Sequence, residues 1–211
     1  MAFSTIWSAT AKHLLILGCG TIAILIPITY LLCVHQDNCP VFLPTISNTW
    51  VYPPGNYLSR WFVGNLCDLF AIYQLIIYWD NVTNMQNKPK EEGATRTCSI
   101  SYEALLSIVW FGIFCLSWVG AICDSSSADS CRGNNTIHTA CAVTFFALYD
   151  FYMLAQNYKN PDRTTCSRWV SSIASCVLFL RFFVPVDLFG YGASTALAVF
   201  EWTNVAVIAH W

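Results

Sequence analysis

The sequence predicts an all-α fold: a polytopic membrane protein built as a bundle of six transmembrane helices, with residues 1–211 forming a single domain. Three observations carry this. Of 211 residues, 56% are hydrophobic and 16% aromatic. Only 10% are charged, against roughly 25% in ordinary soluble domains, which is too few for a water-facing surface. A hydrocarbon core about 30 Å thick takes about 20 mostly apolar helical residues to cross, and runs of that length recur between charged or Pro/Gly-rich breaks.

The first run, Leu14 to Val34, is too long for the apolar region of a secretory signal. No small-residue cleavage site follows it, so it reads as a retained helix. Trp61 to Trp79, Ala104 to Cys123 and Thr139 to Tyr158 follow. A fifth run, Trp169 to Leu188, is interrupted by Arg181 and Pro185, and the sixth is Tyr191 to Trp211. Six spans put both termini on one side with the loops from Asp80 to Glu103 and from Lys159 to Arg168. Those segments hold Lys12, Lys88, Lys90, Arg96, Lys159, Arg163 and Arg168, whereas the other side holds Arg60, Arg132 and Arg181. The bias places the termini in the cytosol. The sequon at Asn134 then lies on the lumenal side and the one at Asn81 on the cytosolic side.

Between the first two spans, the segment from His35 to Arg60 contains Cys39, Pro40, Pro44, Pro53, Pro54 and Gly55, which exclude a continuous helix. Its aromatic residues, Phe42, Trp50, Tyr52 and Tyr57, suit a cap packed over the helix ends, or a lid on a lipid site. The eleven cysteines are scattered without a CxxC pair, so zinc and redox chemistry have little support and no metal or cofactor is expected. Cys123 and Cys131 bracket a short lumenal loop, where a disulfide and two free thiols are both open alternatives. A net charge of −2 offers nothing to nucleic acid.

Ionisable groups inside a bilayer cost about 3 kcal/mol each and usually face the bundle interior. By position, Asp68, Asp150, Arg181 and Glu201 lie within the spans, and Arg60 and His138 stand at lumenal helix ends. Arg60, Asp68, His138, Arg181 and Glu201 are therefore expected to look into one lumen-side cavity. Helical spacing puts Asn65 with Asp68, Glu201 with Asn204, and Asp150 with Asn157 on shared faces, which are expected to point inward. His138 and Glu201 are the candidate catalytic groups, because imidazole exchanges protons near neutral pH and apolar surroundings drive a carboxylate toward its protonated form. Arg60, Asp68 and Arg181 are the candidate substrate-binding groups. For Asp68, Asp150 and Arg181 the competing role is to pair with one another and hold the bundle together. No serine nucleophile elbow, HExxH, P-loop or GxGxxG is present.

The stretch His35, Cys39-Pro40, Leu43-Pro44-Thr45-Ile46-Ser47, Pro54, Tyr57, Arg60 and Gly64 resembles the first lumenal loop and second helix of the post-GPI-attachment factors of the Frag/DRAM/Sfk superfamily. Thr136-Ile137-His138 with Phe145-Phe146 resembles the entry to that family's fourth helix. Phe200-Glu201-Trp202-Thr203 is similar to its last helix, where a histidine follows; here that would be His210, nearer the glutamate than in the family pattern. The resemblance implies a multi-pass glycoprotein of the Golgi or ER membrane that takes part in lipid remodelling of GPI anchors. It would act where a lyso-GPI-anchored protein regains a saturated acyl chain, as the acyl-transfer enzyme or as a non-catalytic accessory factor to a partner acyltransferase. Membrane lipids and GPI-anchored proteins would be its partners. The alternative is a regulatory membrane protein of the autophagy-modulator type without catalysis, since that branch shares Ile46-Ser47, Pro53-Pro54 and Glu201-Trp202-Thr203. A transporter is disfavoured by the lack of an internal repeat.

Overall fold

A chain surrounded by hydrocarbon must satisfy its backbone groups internally, and a helix does so within each segment. The protein, seen as a computed structural model, is described over residues 2–39, 42, 44–87, 100–122, 135–161, 165–180 and 193–210. In chain order its helices are α1 (Ala2–His35), α2 (Ile46–Thr49), α3 (Gly55–Asn87), α4 (Tyr102–Ala121), α5 (Asn135–Lys159), α6 (Cys166–Phe179) and α7 (Ala193–His210). Among the described residues four stretches, Thr10–His35, Gly55–Thr83, Tyr102–Ala121 and Thr136–Lys159, are long and apolar enough to cross a membrane. They coincide with the first four spans expected from the sequence. The fifth and sixth correspond to α6 and α7, whose described apolar stretches, Cys166–Phe179 and Ala198–Ile208, are shorter. Arg181, Pro185, Cys123, Cys131 and Asn134 lie outside the described residues.

Burial is arranged for lipid. Leu31, Trp61, Phe111, Val170 and Val177 are exposed, while Thr29, Ser59, Gln74, Asn157, Ser172, Ser175 and Asn204 are buried. Apolar side chains gain little by leaving hydrocarbon, so such helices associate through close packing and interhelical hydrogen bonds. Both occur here. At Gly120 of α4 a Cβ would stand only 2.7 Å from the Cβ of Val63 in α3. Where α5, α6 and α7 meet, Ser175 Oγ lies 2.5 Å from Asp150 Oδ1 and 2.5 Å from Asn204 Oδ1. One turn pair further along, Asn157 Nδ2 donates to Ser172 Oγ at 2.8 Å. Asp150 is thus buried between helices, with Ser175 as its partner rather than Asp68, which is exposed. The apolar core between these seams includes Leu25, Val63, Leu105, Val109, Phe145, Met153 and Phe200.

Successive helices are neighbours: α1 packs on α3, α3 on α4, α4 on α5, α5 on α6 and α6 on α7, and α2 touches both α1 and α7. The Pro-rich segment that carries α2 is tucked in as well as lying over the helix ends. After His35 the chain turns through Asp37 at φ 55°, a left-handed conformation that Asp tolerates better than most residues. Cys39 returns to form a disulfide with Cys33, Cα–Cα 5.4 Å. Thr45 then caps α2, its hydroxyl accepting the Asn48 N–H at 3.2 Å. Thr49 Oγ1 lies 3.2 Å from Thr29 Oγ1, and both residues are buried. Thr29 precedes the end of α1 by six residues, about 9 Å of helix, so α2 sits well below the rim. Gly55 lets α3 begin against the end of α2, because a Cβ there would fall 2.5 Å from the Thr49 carbonyl oxygen. For that reason α3 starts at Gly55 rather than at Trp61 as expected.

Asn81 is buried within α3. Glycosylation mapping is therefore expected to find Asn134 modified and Asn81 bare. A glycan on Asn81 would overturn the orientation expected from the loop charges and would require α3 to unwind there.

Candidate functional site

Two of the sequence-predicted residues meet on α2. Glu201 of α7 directs its carboxylate at the first turn, where Oε2 accepts the Ile46 N–H at 2.6 Å. That amide is one of the donors every helix leaves unsatisfied at its start. The next residue of α7, Trp202, donates its indole N–H to the Pro44 carbonyl at 3.0 Å and meets the Tyr30 ring edge-on at 6.1 Å. On the other side of Glu201, Phe200 is buried against Phe146 of α5 at 5.5 Å. The aromatic-Glu-aromatic run thus grips the segment before α2 with one residue, its first turn with the second, and the core with the third.

His138 approaches α2 from α5. It is buried, with Nδ1 2.7 Å from the Ile122 carbonyl oxygen at the end of α4 and Nε2 3.0 Å from Ser47 Oγ. A carbonyl can only accept, so Nδ1 carries a proton, and in the neutral ring Nε2 presents a lone pair. In that form the Ser47 hydroxyl donates to His138. The ring is held by a backbone group on one side and can take a proton on the other. Ser47 is half-buried. Nothing in the sequence singled it out as a proton donor; the only signal was its place in the Pro44-Thr45-Ile46-Ser47 run.

Below α2 lies a narrow, partly open apolar cavity of about 100 Å³. Ile46 and Trp50 close one end, and Tyr73 of α3 stands at the other, with Leu25 of α1, Leu66 of α3, Phe146 of α5 and Val205 of α7 among the walls. Along α3 the lining runs from Val63 to Tyr73, a drop of about 15 Å at 1.5 Å per residue. Tyr73 also borders a second, polar cavity of about 410 Å³ at the opposite end of the bundle, lined by Asp80, Asn81, Gln156, Asn160 and Arg168 among others. Next to that cavity the Tyr152 hydroxyl donates to Gln74 Oε1 at 2.5 Å and receives Gln156 Nε2 at 3.1 Å.

The remaining candidates stand elsewhere. Arg60 is exposed near the start of α3. Asn65 and Asp68 do share a helical face, but it points outward: both are exposed, and Asn65 Nδ2 turns back to the Trp61 carbonyl at 2.6 Å. The inward expectation fails for this pair because Val63, Leu66 and Cys67 occupy the buried face of α3. Arg181 lies outside the described residues, and the His210 side chain is likewise not described. Among the described residues no cluster of His, Cys, Asp and Glu could hold a metal ion.

A lipid-facing helical bundle with a proton-accepting histidine, a buried-end carboxylate contact and an apolar cavity beneath them defines a class: a multi-pass membrane protein with a polar site at one end of its helices. The chain belongs to the family described as Frag1/DRAM/Sfk1/Cwh43P N-terminal domain, whose model matches residues 11–209. No curated protein and no solved structure matches it.

Proposed function

We propose that the protein spans the membrane six times and acts in lipid remodelling of GPI anchors, in the fatty-acid reacylation of lyso-GPI-anchored proteins in the lumenal leaflet of the Golgi or ER. The observation that carries this reading is the convergence of His138 and Glu201 on α2, at the end of an apolar cavity. Reacylation needs a group that takes a proton from an attacking hydroxyl and apolar surroundings for the acyl chain; His138 stands at this end of the bundle, and the cavity beside Ile46 has room for part of such a chain. The Cys33–Cys39 disulfide lies at the same end, which agrees with a lumenal, oxidising compartment and with the charge bias of the loops. Arg60, exposed near the start of α3, carries a guanidinium, the group that binds a lipid phosphate through two parallel hydrogen bonds. In this geometry Glu201 orders α2, and His138 is the group placed for proton transfer.

The test is the lipid composition of GPI anchors in cells lacking the protein, re-expressing either the native chain or His138→Ala. Anchors are expected to stay unremodelled in the knockout and with His138→Ala, and to be restored by the native chain. Normal anchors in the knockout would overturn the reading and favour the regulatory alternative, in which the contacts at α2 only brace the bundle.

A further inference from the structure

We propose that Ser47 is the nucleophile of this site and carries the acyl group as a covalent ester between donor and acceptor; the proposal rests on the lipid-reacylation reading above. The Ser47–His138 pair has the parts that activate a serine. Nε2 lies 3.0 Å from Oγ, within reach for proton transfer, and the Ile122 carbonyl fixes the other ring nitrogen as the protonated one at 2.7 Å. Ser47 follows Ile46 in α2, and Ile46 and the C-cap residue Trp50 line the apolar cavity, so Ser47 stands beside the cavity rather than in its wall. A cavity of about 100 Å³ takes only part of a long acyl chain, the segment next to the carbonyl, with the carbonyl end nearest α2.

A second observation points to a ligand at the same place. The indole N–H of Trp50 is buried with no hydrogen-bond partner among the described residues. A buried donor left unpaired costs about 1–3 kcal/mol. Trp50 also lines the cavity, and a turn of its ring would bring this donor to an ester carbonyl oxygen entering there. Charge building on that oxygen during attack would strengthen the bond.

The reaction is an ester exchange in two halves. Ser47 Oγ attacks the ester carbonyl of a donor lipid while its proton passes to His138 Nε2. The tetrahedral adduct then expels the donor's alkoxide, which takes that proton and leaves as a lyso-lipid, with the acyl group now esterified to Ser47. In the second half the free hydroxyl of the lyso-GPI lipid attacks the acyl-serine carbonyl and gives its proton to His138. Collapse expels Ser47 Oγ, which recovers the proton. No oxidant, metal or further reactant is needed. The orientation of the cavity favours an ester lipid of the leaflet at the α2 end as donor, because a donor whose head sat at the Tyr73 end would hold its carbonyl about 15 Å from α2.

The test uses the full chain in phosphatidylcholine vesicles, treated with a long-chain alkyl fluorophosphonate and mapped by peptide mass spectrometry. The unaltered chain is expected to be labelled at Ser47, with labelling lost in Ser47→Ala and reduced about a hundredfold or more in His138→Ala. Mapping on the unaltered chain keeps the result independent of whether a variant folds. Label absent from Ser47, or placed elsewhere, overturns the proposal. In knockout cells Ser47→Ala at native abundance is expected to leave anchors unremodelled; remodelling at the native level would overturn the nucleophile while leaving the GPI reading intact. If anchors are normal in the knockout itself, the GPI reading fails, and labelling of Ser47 that depends on His138 still supports an acyl-serine for another lipid.

Discussion

Glu201→Ala is expected to abolish anchor remodelling and lower the thermal stability of the purified protein, whereas Glu201→Gln is expected to retain most of both. The alanine removes the acceptor of the Ile46 N–H, now held at 2.6 Å. Ile46 is buried, so its amide would be left without a partner at a cost of about 1–3 kcal/mol. A helix of four residues has no cooperative length with which to absorb that loss. Once its first turn loosens, Ser47 is no longer held against His138. Glutamine keeps an accepting oxygen at the same reach and loses only the charge assistance, about half of the bond's strength. Remodelling assays and melting curves of the two variants separate a positioning carboxylate from a proton-transferring one. A glutamine variant that is stable and abundant yet inactive would show that the carboxylate itself moves a proton.

The second large effect concerns the cavity. Cys19→Trp is expected to abolish remodelling at near-native abundance, and Cys19→Ala to leave it unchanged. Cys19 is a half-buried residue of α1 that lines the apolar cavity, and an indole placed there occupies the path of an acyl chain between α2 and Tyr73. Filling an empty apolar space adds contacts, although forcing neighbours aside can cost about 1–3 kcal/mol. Quantitative immunoblotting therefore accompanies the lipid analysis. Normal remodelling by the tryptophan variant would remove the cavity from the reaction.

These expectations indicate which parts of the molecule could be read in the sequence. The first four spans were legible because hydrocarbon imposes a length and a composition on anything that crosses it, and α1, α3, α4 and α5 meet both. Their ends were not. The start of α3 depends on Gly55 fitting against the Thr49 carbonyl, a contact made by chain folding. His138 and Glu201 stood out because a titratable group near lipid is costly, and the fold brings both to α2. Asp68 shows the limit of that argument. Spacing from Asn65 established a shared face, but only packing decides which way a face looks, and the apolar residues Val63, Leu66 and Cys67 turn it outward. Ser47 carries no cost and no periodicity, so only the fold brings it to His138. The same holds for the Cys33–Cys39 disulfide, since Cys33 falls within an apolar run that read simply as a span.

The dependence of α2 on its surroundings bears on how the protein is made. A four-residue helix does not form by itself in isolation. This one is fastened by Thr29 from α1, His138 from α5, and Glu201 and Trp202 from α7. Of the described helices, α7 is the last to leave the ribosome. During synthesis the segment around α2 is made early, yet most of its fastenings arrive late. The Ser47–His138 contact can thus form only after α5 has been made, and the full set of fastenings only after α7 has.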